Sequence, residues 1–221
     1  MQLMSVPTPQ LFDMRALRWN RQRAAASYDK FAFLKDEAAI RLVDRVDLMR
    51  RDFDLCLDLG AHDGRLSQHL APLGKIRTIV QSDPAAKFSD NFFQNNINYR
   101  AAPFVVHDFT TLPFADKSFD GVFSCLNLHW VDDLPGLFVQ IRRLLRPDGL
   151  CLVNLLGGDS LHELRASLIA AEQHVTGGFS PRCAPMADIR DVGGLLGRAG
   201  LALPVADSDR LTVNYANMFQ L

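Results

Sequence analysis

Long apolar runs are missing from this 221-residue chain; the longest, such as Leu168 to Ala171, fall far short of the roughly 20 residues that cross a bilayer. No apolar leader opens the chain, which sets the expectation of a cytoplasmic protein in a bacterium, or of a matrix protein in a mitochondrion. Net charge is nearly absent: 24 Lys+Arg against 25 Asp+Glu leave −1, so no global positive field draws a nucleic acid or an anionic membrane. Cysteine is sparse. Cys56, Cys125, Cys151 and Cys183 stand singly with no CxxC pair, which removes the zinc ribbon and the dithiol redox centre. The histidines form no HExxH, and none is followed two positions later by Asp or Glu, so no metal is expected. A GxSxG elbow, internal repeats and low-complexity tracts are also lacking.

What is present is the balance of a globular chain, 48% hydrophobic and 22% charged, long enough for one sizeable core. Its first 30 residues are arginine-rich, with Arg15, Arg18, Arg21 and Arg23, and read as a helical arm. Apolar positions from Phe33 to Leu48 then space as one amphipathic helix. From there short apolar runs alternate with helical segments. Leu55 to Leu59, Ile76 to Val80, Phe104 to Val106, Gly121 to Ser124 and Leu150 to Leu156 read as buried strands. Arg65 to Ala71, Ala85 to Asn95 and Leu134 to Leu145 read as the helices between them. The alternation predicts an α/β fold, a doubly wound and mostly parallel sheet with its site at the carboxyl ends of the strands.

Farther on, Ser160 and Glu163 have capping-box spacing at the start of a helix running to about Val175. A second helix spans about Met186 to Ala199, with Gly200 as its C-cap. A last strand is expected over Leu201 to Val205, and another stretch of strand over Leu211 to Tyr215. The division expected is an N-terminal helical arm over 1–50 packing on a domain over 51–221.

Chemistry is concentrated where the strands end. The first runs into Asp58-Leu59-Gly60-Ala61-His62-Asp63-Gly64, a glycine turn that bares helix-start N–H groups to a ligand. It is not GxGxxG, which argues against a dinucleotide enzyme. The second ends at Asp83, at the spacing where a carboxylate accepts from ribose hydroxyls, although Asp83-Pro84 also reads as a helix cap. The third is followed by His107-Asp108-Phe109, a carboxylate beside an aromatic, suited to an adenine amino group or to an ordinary turn. The fourth delivers Asn127, His129 and Trp130 to the same rim, the acceptor side of a site or a packed polar cluster.

These segments, together with Leu112-Pro113-Phe114, Ser118-Phe119-Asp120 and Leu144-Leu145-Arg146-Pro147-Asp148-Gly149, resemble the class I S-adenosylmethionine-dependent methyltransferases. The resemblance implies a Rossmann-like fold that holds S-adenosylmethionine. Asp58, Gly60, His62 and Gly64 would meet its methionine part, Asp83 its ribose, and Asp108 with Phe109 its adenine. His62 stands where the family has a glycine. Leu126 to Pro135, Gly157 to Arg165 and Gly177 to Pro181 further resemble the respiratory complex I assembly factors of methyltransferase fold, a family linked to arginine hydroxylation, and more distantly the carrier-protein O-methyltransferases of biotin synthesis. That resemblance implies a protein client. It leaves three readings: a methyltransferase on a protein or carrier, an arginine hydroxylase, and a non-catalytic assembly factor. By comparison with the family the final strand of the sheet is expected to be missing. No nucleophile stands out, as suits methyl transfer, where alignment of an activated donor supplies much of the rate.

Overall fold

A computed structural model describes residues 10–90 and 103–221. Five strands, β1 (Phe53–Leu59), β2 (Ile76–Asp83), β3 (Phe104–Val106), β4 (Phe119–Cys125) and β5 (Leu145–Asn154), form one parallel sheet in the order β3-β2-β1-β4-β5. The chain winds outward from β1 in both directions, so the switch point lies between β1 and β4.

Alternation along each strand sorts the side chains between two layers. Leu57, Leu59, Val80 and Val122 face helices α4 (Leu134–Leu144) and α6 (Ile189–Arg198). Cys56, Ile79, Phe123 and Cys125 face α2 (Phe33–Asp47) and α3 (Arg65–Leu70). Helices on both faces explain why the strands read as continuous apolar runs. Helix α1 (Met14–Ala24) lies outside these layers, and α5 (His162–Thr176) buries none of its residues.

Asp120 accepts from Asp54 N (3.0 Å) and Leu55 N (2.9 Å) and pairs with Arg146 (2.9 Å), tying three strands at their amino ends. The Ser-Phe-Asp segment is therefore structural. The Arg146-to-Gly149 turn lies inside β5 as a bulge, where the register jumps from Phe119↔Leu145 to Gly121↔Leu150.

Two expectations need correction. Helix α5 starts at His162 behind Leu161 in a left-handed conformation (φ 56°), with no side-chain cap, so the Ser160/Glu163 box does not form; Ser160 N is already engaged by Gly157 O at 2.9 Å. No strand forms over Leu201 to Val205 or Leu211 to Tyr215. Leu203 and Val205 are 92% and 84% exposed, and Pro204 has no N–H to offer a ladder. Ion pairs from Arg45 to Asp207 (2.7 Å) and Arg41 to Asp209 (3.8 Å) tie this stretch to α2 instead. Of the expected helix Ala85 to Asn95, residues 87–90 are helical and those from 91 on lie outside the described residues. The expected C-cap holds, with Leu201 N reaching Leu196 O at 3.1 Å around Gly200.

Candidate functional site

The site is assembled where β1, β2 and β4 end. After Leu59 the chain reverses over Gly60 (φ 78°), whose N–H is fixed by Ser82 O at 2.8 Å. A Cβ on Gly60 would stand 2.1 Å from Asn127 Cγ, so the close seat of Asn127 on the turn requires glycine. Gly64 (φ 82°) opens α3 against Gln81 in the same way. Between them His62 takes a left-handed conformation (φ 55°), a strained choice for a side chain with a Cβ.

Two residues that lie outside the sequence motifs offset this strain. The Tyr28 ring stacks on the His62 ring at 5.0 Å. Buried Lys35 donates to Gly60 O (3.1 Å) and Ala61 O (3.3 Å) and lies 2.6 Å from His62 Nδ1, which is itself 2.9 Å from Gly60 O. Burial, with Arg21 and Lys35 nearby, holds His62 well below the ordinary histidine range and therefore neutral. Lys35 had one legible signal: it shares the apolar face of α2 with Ala38, Ala39 and Leu42, where a charge needs an internal partner.

Asp58 is fully buried beside this turn. Ser67 Oγ donates to its Oδ2 at 2.7 Å, while Oδ1 has no partner among the described residues. Desolvation pushes the carboxyl up to about 6, although Lys35 and Ser67 favour its ionised form. Asn127 is also fully buried, with Nδ2 unpartnered.

At the end of β2 the Asp83 carboxylate accepts three hydrogen bonds. Oδ1 accepts from Ala85 N (2.9 Å), confirming the cap geometry. Oδ2 accepts from His62 N (3.1 Å) and from Arg21 Nη1 (2.6 Å). The second guanidinium nitrogen of Arg21 donates to Asn127 Oδ1, and the guanidinium carbon lies 5.8 Å from the centre of the Phe109 ring. Arg21, one more basic residue of the arm in the sequence, is thus built into the site; nothing in its spacing marks it out.

The remaining candidates stand farther along the rim. Asp108 is exposed; its Oδ1 accepts from Thr110 N at 2.9 Å, and that bonding to Thr110 holds the carboxyl below its usual range. It borders a cavity of about 250 Å³ lined with Met14, Arg18, Pro84, Val106 and His107. Phe109 is buried in the core with its ring toward Arg21. His129 has an unpartnered Nδ1, and burial with Arg21 and Lys35 pushes its pKa down to about 4. Trp130 packs its ring against His129 (5.3 Å) and Phe12 (5.5 Å). The structure therefore brings Asp58, Gly60, His62, Gly64, Asp83, Phe109 and Asn127 together through direct or shared contacts. It leaves Asp108 on the outer lip, with His129 and Trp130 on the β4 side.

Residues 57–153 match the family model described as a methyltransferase domain. The chain is 41% identical over 215 residues to the mouse protein named arginine-hydroxylase NDUFAF5, mitochondrial, covering 96% of this chain but 61% of the mouse one. It spans less than two thirds of that relative. It is 31% identical over 209 residues to malonyl-[acyl-carrier protein] O-methyltransferase 1 of Coxiella burnetii, covering 95% of this chain and 68% of that one. Among solved structures, a Haloferax volcanii methyltransferase complexed with the Trm112 activator superposes with a TM-score of 0.61 at 22% identity, covering 81% of this chain and 75% of that one. Taken with the parallel sheet, its switch point and the glycine turn at the end of β1, these similarities place the chain in the class I S-adenosylmethionine-dependent methyltransferase family.

Proposed function

We propose that the chain binds S-adenosylmethionine at this rim and modifies a protein client in the assembly of respiratory complex I. The observation that carries the binding step is a pair of buried orphans: Asp58 Oδ1 and Asn127 Nδ2 have no partner among the described residues. A carboxylate acceptor and an amide donor, both beside the glycine turn, suit the ammonium and carboxylate of an amino acid. Asp83 would take the ribose hydroxyls, and Asp108, beside its cavity, the adenine amino group.

The cofactor would supply a methyl group already activated by the sulfonium. The protein's part is then placement and exclusion of water. The turn from Gly60 to Gly64, pinned by Lys35, would hold the cofactor's amino-acid end, with Asn127 between that end and the acceptor side, where His129 and Trp130 would stand. With a pKa near 4, His129 is neutral at physiological pH, a weak base whose part would be to orient an acceptor group through a hydrogen bond at Nδ1. By the same relatives, the compartment is the matrix side of a mitochondrion, or the cytoplasm of a bacterium.

A second reading, hydroxylation of a client arginine, is favoured by the name of the mouse relative. The two differ in what they add. Mass analysis of complex I subunits from cells with and without the gene should show a gene-dependent gain of CH2 on one residue for methyl transfer, or of O on an arginine for hydroxylation. No gain on any subunit, with assembly restored equally by an Asp83→Ala variant, would instead assign a non-catalytic role.

A further inference from the structure

We infer that α1 is an internal competitor for the cofactor: docked, it puts Arg21 on the carboxylate that the ribose needs, and the two occupants exclude each other. This rests on the cofactor reading above and adds a regulatory step to it. The Arg21–Asp83 pair is closed on both sides, with side chains 7% and 0% exposed. Asp83 Oδ2 already accepts from His62 N and Oδ1 from Ala85 N, so one acceptor site is left beside the guanidinium and two ribose hydroxyls can bind together only as the guanidinium leaves. Asn127 Oδ1 is held by the same guanidinium.

The way α1 is attached shows that it can leave. Arg21 is its only buried residue, so the helix is not anchored by an apolar face of its own. Apart from Ala25 at its C-cap, buried with Ala85 and Phe88, its other attachments are polar or peripheral. Leu11 N and Phe12 N donate to Asp132 Oδ1 (2.9 and 3.1 Å), Phe12 packs edge-on against Trp130, and Lys87 N donates to Gln22 Oε1 at 3.0 Å. Met14 touches the core from its edge. A helix fixed by one buried ion pair and a few rim contacts is a latch.

Charge selects what can replace it. Arg21 is the cation paired with buried Asp83, so removing it leaves that carboxylate without its counter-charge. S-adenosylmethionine, with a sulfonium, an ammonium and a carboxylate, carries one net positive charge and restores the balance. A neutral or anionic nucleoside does not.

The test is calorimetric titration of the whole chain with S-adenosylmethionine, in the wild type, Arg21→Met and Asp132→Ala, with amide exchange over residues 10–24 in the wild type with and without ligand. Because apparent affinity is reduced by the closed fraction, Arg21→Met should bind about ten- to a hundred-fold more tightly. Asp132→Ala, which touches no part of the pocket and frees only the outer end of the latch, should shift the same way by a smaller factor and decides the matter should Arg21→Met fail to fold. Exchange over 10–24 should rise on ligand addition. Equal affinities with α1 still protected would overturn the competition while leaving the pocket standing. Binding by none of the three would overturn both, since an unlatched pocket must then have taken the ligand.

Discussion

Asp83→Ala, introduced into the Arg21→Met background, lowers the affinity for S-adenosylmethionine by about a hundred-fold or more. The background matters, because in the wild type the same substitution also dismisses Arg21 and so removes a competitor along with a ligand contact. Two hydrogen bonds from ribose hydroxyls to an ionised acceptor are worth about 1.5–3 kcal/mol each, and about 1.4 kcal/mol is ten-fold. Asp83→Ala alone has a second effect, on stability. It leaves the Arg21 guanidinium buried without its counter-charge, a loss of about 3–5 kcal/mol when nothing relaxes. Here α1 can swing out, so the loss is capped by the free energy of undocking that helix. Arg21→Met is the milder change, because Asp83 keeps the His62 and Ala85 N–H groups. Urea unfolding should therefore order the proteins wild type, Arg21→Met, Asp83→Ala, and calorimetry of the double variant supplies the binding figure. A double variant that binds as tightly as Arg21→Met would remove Asp83 from the cofactor site.

A comparably large effect is expected from pH, through Asp58. Burial raises its carboxyl from the ordinary value near 4 to about 6, so the folded protein holds this proton more tightly than the unfolded chain does. The contribution to stability is therefore greatest below about pH 4. It falls as pH rises from about 4 to about 6, where the unfolded chain has already released the proton, and is then constant; two pK units correspond to about 3 kcal/mol. Asp58→Asn should flatten this stretch of the stability profile, read from urea midpoints at a series of pH values. A slope that survives the substitution would assign it to other groups. The same titration reaches the ligand: an ammonium prefers the ionised carboxylate, so affinity for S-adenosylmethionine should fall about ten-fold per pH unit below about 6.

The fold was legible because its physics is local and periodic. Runs such as Leu55 to Leu59 and Ile76 to Val80 are apolar throughout because helices cover both faces of the sheet, and the observed strands begin or end within a few residues of the expected ones. The glycine turn was legible for the same reason, since positive φ at Gly60 and Gly64 leaves a mark in residue type. The boundary errors have physical causes as well. Ser160 and Glu163 have the right spacing for a cap, but the chain enters α5 through left-handed Leu161, which points the box elsewhere. Leu201 to Val205 is apolar enough for a strand, yet a strand needs a neighbour to bond with, and composition does not show whether one is near.

What the sequence concealed are contacts between distant segments. Arg21 reaches Asp83 across 62 positions and Asn127 across 106, and Lys35 reaches the glycine turn across 25 to 27. None of these pairings has a spacing rule. His62 in a glycine position reads from the sequence as a defect in the turn; in the fold it is a residue stacked on Tyr28 and bonded to Lys35, so the departure is compensated by the arm that follows α1 and by α2.

The most direct measurement is a crystal structure of the chain with S-adenosylmethionine. The account predicts ribose hydroxyls on the Asp83 carboxylate, the methionine part against Asp58, Asn127 and the Gly60-to-Gly64 turn, and the Arg21 guanidinium withdrawn from both Asp83 and Asn127. A cofactor bound elsewhere on the chain, with the Arg21–Asp83 pair intact, would contradict it.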